Sequence, residues 1–422
     1  MGLTGMALAI DAGNSKTDVA LVATDGSILA TARGGGFRPP VVGVERAVDV
    51  LAPLVASVLA EAGVGGAAGP GGAAGVVGPV RAAGVAGLVG AAGVAAPLGA
   101  AEGAGLVGAT GVADPVGATG VAGPVGVAGA AGPVGVAGAA GAAEPAGAAG
   151  APGPVEVAGV ARPVDHLSAF LANADLPVEE ARLTAEIARR GWAGTVTVRN
   201  DTFALLRAGL PDDGEPVGVA VVCGAGINCV GVGRDGATAR FPSIGRISGD
   251  WGGGAHLADE ALWCAARAED GRGAPTELAR ALPAHFGLLT MRELIEALHL
   301  HEIPGHRRHE LPPVLFAAAT AGDRVARTLV TRQTEEIALL TRVALERLGL
   351  LDEPTPVILG GGILTARHPL LHDHLTQLLT DHAPKALPHV VTAPPVLGAA
   401  LDTLDRAGAK AGAYGRARRA WG

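Results

Sequence analysis

Two short glycine turns and one aspartate carry most of the chemical information in this chain. An apolar run ends at Asp11, the turn Gly13-Asn14-Ser15-Lys16-Thr17 follows, and an alternating run continues from Asp18 to Ala23. Alternation at period two marks both runs as strands, and Asp25-Gly26 is a hairpin turn signal. A Walker-type loop would read GxxxxGK[ST] and open a helix; here the turn joins two strands. Its backbone amides could approach phosphate oxygens, Lys16 and Thr17 would add donors, and Asp11 could position Mg²⁺. The same residues would also suit an ordinary hairpin with an aspartate at its turn. A second copy favours the phosphate reading. Residues Gly218 to Gly236 repeat the scheme, with Gly224-Ala225-Gly226 as the turn. Two hairpins of one design suggest two related α/β domains whose turns clamp one nucleotide's phosphates from both sides.

Asp201 is the third element. The run Thr195 to Arg199 alternates as a strand, and Asn200-Asp201 then opens a helix over Thr202 to Ala208. Carboxyl ends of strands line the ligand crevice in open α/β sheets. A carboxylate there could take a proton from a substrate hydroxyl as it attacks a γ-phosphate. The competing role is a helix N-cap. Two further loops could touch ligand. Gly249 to Gly254 offers Asp250 and the flat indole of Trp251, although a turn with a core tryptophan reads the same. Gly360-Gly361-Gly362 follows a strand and would allow close approach to a nucleotide. His299, His301, His306 and His309 lack helical ligand spacing and are expected as solvated residues, not a metal site.

These positions need a scaffold of strands and helices. Val44 to Ala62 has helical spacing, as do Pro177 to Arg190, Met291 to His299 and Arg324 to Leu348. Short strands are expected at His166 to Ala172, Pro356 to Leu359 and Val390-Val391. Strands alternating with helices in both halves indicate mixed sheets covered by helices. The 422 residues carry a net charge of −8 and no basic run beyond Arg416 to Arg419. That argues against a nucleic-acid partner. Three cysteines without metal spacing fit a reduced cytoplasmic protein. No signal peptide or membrane span is expected.

From Gly63 to Gly159 glycine recurs at every third position, interrupted by Arg81, Ala96, Glu102, Asp114, Glu144 and Glu156. A collagen helix would place each interruption at its crowded axis. All six replacements are one base change from a glycine codon, which suggests a decayed nucleotide repeat. We expect a flexible or polyproline-like insertion without function.

Taken in order, DAGNSKTD, VRNDTFALLRAG, CGAGINC, SGDWGGG with DEALW, ILGGG and PVLGAALDTL resemble the N-acetylglucosamine kinase family, together with the ATPases that activate benzoyl-CoA reductase and related dehydratases. That family lies within the actin, hexokinase and heat-shock ATPase superfamily. The resemblance implies an α/β fold with two ribonuclease-H-like domains around a nucleotide cleft. The expected boundaries are 1–62 with 163–210, then 211–395, with 63–162 as the low-complexity insertion and 396–410 as a closing helix packed back on the first domain. It implies ATP and Mg²⁺ as cofactors, Asp201 as general base, Asp11 on the metal, and Asn228 with Trp251-Gly252 on the sugar side. Asn200, Ile227, Asp250 and Asp259 are grouped with them.

Three departures bear on the substrate. Ala225 replaces a threonine usual in the second turn. Phe37-Arg38-Pro39-Pro40 stands where the sugar kinases tend to offer asparagine, and Asp259 is eight residues beyond Trp251. The expected activity is transfer of phosphate from ATP to the primary hydroxyl of N-acetylglucosamine or a related amino sugar. The partners are then small molecules, with a homodimer allowed for. The alternatives are an ATPase that activates a partner enzyme and a non-catalytic sugar or nucleotide sensor.

Overall fold

Each glycine turn sits at the tip of a three-stranded meander, and each meander begins a sheet of the same order. The computed structural model describes residues 5–64, 153–156, 162–212 and 214–421; most of the glycine-repeat insertion lies outside them. The first half contains β1 (Met6–Ala12), β2 (Thr17–Ala23), β3 (Ile28–Gly34), α1 (Pro39–Val42), α2 (Val44–Asp49) and α3 (Leu51–Glu61). After the insertion come β4 (Val155–Glu156), β5 (Val164–Leu171), α4 (Pro177–Arg190), β6 (Ala193–Asn200) and α5 (Thr202–Gly209). The sheet order is β3-β2-β1-β5-β6-β4. β1 pairs antiparallel with β2 and parallel with β5, and β5 parallel with β6.

The second half has β7 (Gly218–Cys223), β8 (Ile227–Val232) and β9 (Thr238–Arg240). Five helices follow: α6 (Gly254–Glu269), α7 (Leu278–His285), α8 (Met291–His299), α9 (Pro312–Thr320) and α10 (Arg324–Arg347). The chain ends with β10 (Thr355–Gly360), α11 (Gly362–Thr365), α12 (Pro369–His382), β11 (Ala386–Val390), α13 (Pro395–Arg406) and α14 (Ala411–Trp421). Its sheet runs β11-β10-β7-β8-β9. Leaving aside the short β4, both sheets read third, second, first, fourth, fifth strand. This is the duplicated ribonuclease-H-like arrangement expected from the motifs.

Side-chain alternation divides the core into three. Leu8, Ile10, Leu167 and Val196 pack outward under α2, α3 and α4. Val219, Val221 and Leu359 pack outward under the α6–α10 helices. The faces between the sheets carry small residues, Ala9, Ala20 and Ala220, against α5 and α13. Small side chains there let these helices lie close; a Cβ on Gly398 of α13 would fall 1.8 Å from the Ala204 carbonyl oxygen of α5. α13 also packs on β1, β2 and β5.

Two expected elements differ. The single helix Val44 to Ala62 is broken at Val50, because Pro53 has no N–H for the carbonyl of Asp49. The expected strand Val390-Val391 is the tail of β11, whose exposed Leu387 and Pro388 on a sheet edge hide its alternation. Among the described residues no helix is long and apolar enough to cross a membrane.

Candidate active site

Parallel pairing brings the carboxyl ends of β1, β5 and β6 to one sheet edge, with Ala12 beside Leu171 and Leu171 beside Asn200. The β1–β2 turn, residues 172–176 and Asp201 therefore share that edge. In the second sheet Gly360 lies beside Val222, so the β7–β8 turn and Gly361 share another. The two edges meet where Asn228, opposite Val222 in its hairpin, donates Nδ2 to Asn200 Oδ1 at 3.1 Å.

The first turn is closed by the Gly13 amide, which donates to the Lys16 carbonyl at 2.8 Å. The amides of Asn14, Ser15 and Lys16 have no partner among the described residues, and all three residues are exposed. They are free backbone donors of the kind a phosphate needs. Thr17, expected as a further donor, is fully buried and gives its hydroxyl to the Gly35 carbonyl at 2.8 Å. Lys16 reaches Asp18 at 3.3 Å. The second turn repeats the closure, with the Gly224 amide on the Gly226 carbonyl at 2.9 Å, leaving the Ala225 and Gly226 amides without a partner among the described residues.

Three glycine segments pack backbone to backbone around that second turn. The Gly254 and Ala255 amides, at the start of α6, donate to the carbonyls of Gly224 and Ala225 at 2.7 and 2.9 Å. A Cβ on Gly253 would lie 2.5 Å from the Gly226 backbone, and one on Gly361 2.5 Å from the Cys223 carbonyl. Both have φ above +80°, so glycine is required twice over, by space and by backbone conformation.

Asp201 stands at the N-cap position of α5 but makes no cap hydrogen bond. The Thr202 amide at the helix start donates to Asn200 Oδ1 at 2.9 Å. Burial pushes the Asp201 carboxyl up to about 6, although the Thr202 amide and hydroxyl oppose the shift. Asp11 is 6% exposed. Its carboxyl is raised well above the usual range, by burial first and then by Asp201 and Asp18. Sequence reasoning missed Asp175, in the loop after β5. Burial, then the charges of Asp201 and Glu179, push it up to about 7. Its Oδ1 accepts from Asn200 Nδ2 at 2.7 Å. Also missed were Arg240 of β9 and Glu180 of α4, a second tie between the halves at 2.7 Å. No motif marked these three; only the folded edges bring them together.

Several residues expected on the sugar side are committed elsewhere. Asn200 is 2% exposed, and its side-chain amide is used by Asp175, Thr202 and Asn228. Asn228 Oδ1 accepts from the Cys229 amide and Ser243. Ile227 packs in the outer core, and Trp251, 6% exposed, does the same beneath Arg332. The side chains of Ile227 and Trp251 therefore pack as core residues, and buried Gly252 packs on Gln333. Asp250 is tied to the Gly245 amide and Ser248, yet its charge reaches Asp175. Asp259 is exposed on α6 and pairs with Arg308 at 2.5 Å. Among the described residues no hydrogen bond or ion pair joins it to the Asn200–Asn228 junction, because five helical residues from Gly254 carry it along and around α6.

The chain is 26% identical over 211 residues to N-acetyl-D-glucosamine kinase of Dictyostelium discoideum, covering 50% of this chain and 65% of that protein, just under two thirds of its length. It is 25% identical over 214 residues to N-acetylmuramic acid/N-acetylglucosamine kinase of Clostridium acetobutylicum, covering 51% and 69%. Among solved structures it resembles a protein from Chromobacterium violaceum assigned as an N-acetylglucosamine kinase. That match has a TM-score of 0.54 and 16% identity, covering 94% of this chain and 98% of the other. A counterpart from Porphyromonas gingivalis gives 0.51 and 14%, with the same coverage. The structural likenesses show a common fold. The model of the BadF/BadG/BcrA/BcrD ATPase family matches residues 8–401, and the chain belongs to that family.

Proposed function

We propose that this protein is an ATP-dependent sugar kinase acting on the primary hydroxyl of N-acetylglucosamine or a related amino sugar. The observation that carries the reading is Asp201: a carboxylate left uncapped at a helix start, poised near neutrality, where the edges of the two sheets meet. A general base works best with a pKa near the working pH. Asp201 would orient the acceptor hydroxyl and take its proton. The free amides of the first and second turns would bind phosphate oxygens from opposite sheets, and the tied edges would exclude water as they close.

Bound Mg²⁺ would shield charge on the phosphoryl group. Asp11 would hold it, since its buried carboxylate has no side-chain hydrogen bond among the described residues and is surrounded by other negative charge. No three metal-ligating side chains cluster among the described residues. That suits Mg²⁺, which usually takes one or two carboxylates and completes its shell with water and phosphate. Asp175 feels the charges of Asp201, Glu179 and Asp250, which makes this edge acidic beside the proposed base. The names of the two curated relatives favour an amino sugar as acceptor. A cytoplasmic setting fits three free cysteines.

The partner-activating alternative, with a cysteine-held iron–sulfur cluster, finds no support in the thiols. Cys223 and Cys229 are fully buried within one hairpin, so neither offers an exposed sulfur for a cluster shared with a second subunit. A coupled assay with Mg-ATP and a panel of hexoses, amino sugars and N-acetylated sugars tests the proposal. Sugar-dependent ADP release with a preference for amino sugars is expected. ATP binding without transfer to any sugar would refute it.

A further inference from the structure

Behind α5 lies a cavity of about 450 Å³, bounded by α13, α14 and by Pro211, Asp212, Gly214 and Pro216 ahead of β7. Its apolar wall includes Phe170, Phe203, Leu206 and Tyr414. The size and mixed lining are those of a small-molecule site. The charged groups around it are almost all paired. Arg207 holds Asp405 at 2.7 Å, Arg418 holds Asp212 at 2.8 Å, and Arg406 holds Asp402 at 2.7 Å.

Arg199 is the exception. It lines the cavity from β6, yet makes no hydrogen bond or ion pair among the described residues. Its guanidinium lies 3.7 Å above the Phe203 ring. Asp402 and Glu180 act on it at longer range, but each is held directly by another arginine, Arg406 and Arg240, so the Arg199 donors themselves are left without an acceptor. A guanidinium resting on an aromatic face presents a fixed fork of donors that matches an oxyanion.

We propose that this cavity binds a small organic oxyanion, its charged head on Arg199 and its body against Phe170 and Tyr414. Arg199 keeps its charge for that purpose, since burial lowers it only to about 10. The site is separate from the glycine turns and from Asp201. It is coupled to them by the chain, because Arg199 immediately precedes Asn200 and Asp201. An occupant would therefore act on the catalytic edge from behind as an effector. This assignment goes beyond the kinase reading and does not depend on it.

Thermal shift and calorimetry on the full chain test it with two probes, N-acetylglucosamine 6-phosphate and benzoate, against Arg199→Met and Arg199→Lys. Binding to the wild type and a rise in Tm are expected, with affinity about tenfold or more weaker in Arg199→Met and intermediate in Arg199→Lys. Without probe, Arg199→Met should be no less stable than the wild type, since it removes a partly buried cation that makes no direct hydrogen bond or ion pair among the described residues, while Asp402 and Glu180 keep Arg406 and Arg240. Response to the sugar phosphate alone would mark a phosphate ligand; response to benzoate would mark a carboxylate. Equal affinity in wild type and both variants would overturn the proposal, as would no binding of either probe. A lower Tm for probe-free Arg199→Met would overturn it too, by making Arg199 a structural partner of Phe203. Failure of the sugar-kinase assay would leave all these outcomes intact.

Discussion

Asn228 of the second sheet donates its side-chain amide to Asn200 of the first at 3.1 Å, and the same Asn200 oxygen accepts from the Thr202 amide beside Asp201. The tie between the halves and the helix start that carries the proposed base thus share one buried amide. Asn228→Ala removes the donor to Asn200 and the acceptor for Cys229 and Ser243. A stability loss of about 1–3 kcal/mol is expected from the orphaned groups. Turnover should fall more than ATP affinity, because the first phosphate turn is untouched. Denaturant unfolding and steady-state kinetics check both.

The pH dependence follows from Asp201 and Asp175. Both folded carboxyls sit above the ordinary value of 3.8, at about 6 and about 7. The folded protein therefore holds protons that the unfolded chain has released. The stability these two carboxyls contribute is fully present below about pH 4 and is lost as pH rises through 6 to 7. Turnover should have an acid limb near pH 6. Asp201→Asn, which cannot ionise, should have a higher Tm than the wild type at pH 8, and the gap should close by pH 4. Tm measured across that range decides the sign.

The glycine packing around the second turn predicts a contrast. Gly253→Ala would drive a Cβ to 2.5 Å from the Gly226 backbone at a φ of +82°. A cost of about 2–4 kcal/mol is expected from overpacking and left-handed strain together. ATP affinity should fall with it, since the turn must shift. Gly412→Ala, in α14 with no atom within 4 Å of the new Cβ, should instead gain up to about 1 kcal/mol. Chemical denaturation and nucleotide titration report the two effects side by side.

Asp259→Ala removes only an exposed ion pair with Arg308. Its effect on stability should stay within about 1 kcal/mol, with kcat and KM for the preferred sugar unchanged within twofold. A large KM increase would return Asp259 to the sugar side.

The hairpins were legible because glycine turns between alternating runs have few other readings. The helix Pro177–Arg190 was legible to the residue, with Pro177 at its start and Gly191 in a left-handed conformation at its end. Asp201 could be named because a strand-to-helix junction is visible in the chain. Side-chain direction was not visible. Ile227 and Trp251 belong to matching motifs, yet strand alternation and the Gly252-Gly253 bend turn both into the core. Asp175, Glu180 and Arg240 gave no sequence signal, because their importance arises only when two sheet edges meet.

The most direct measurement compares Asp201→Asn with the wild type in sugar phosphorylation and in ATP binding. Turnover should fall about 10²–10⁴-fold in Asp201→Asn, with ATP affinity within about threefold of wild type. Phosphorylation surviving at a rate near the wild type would contradict it.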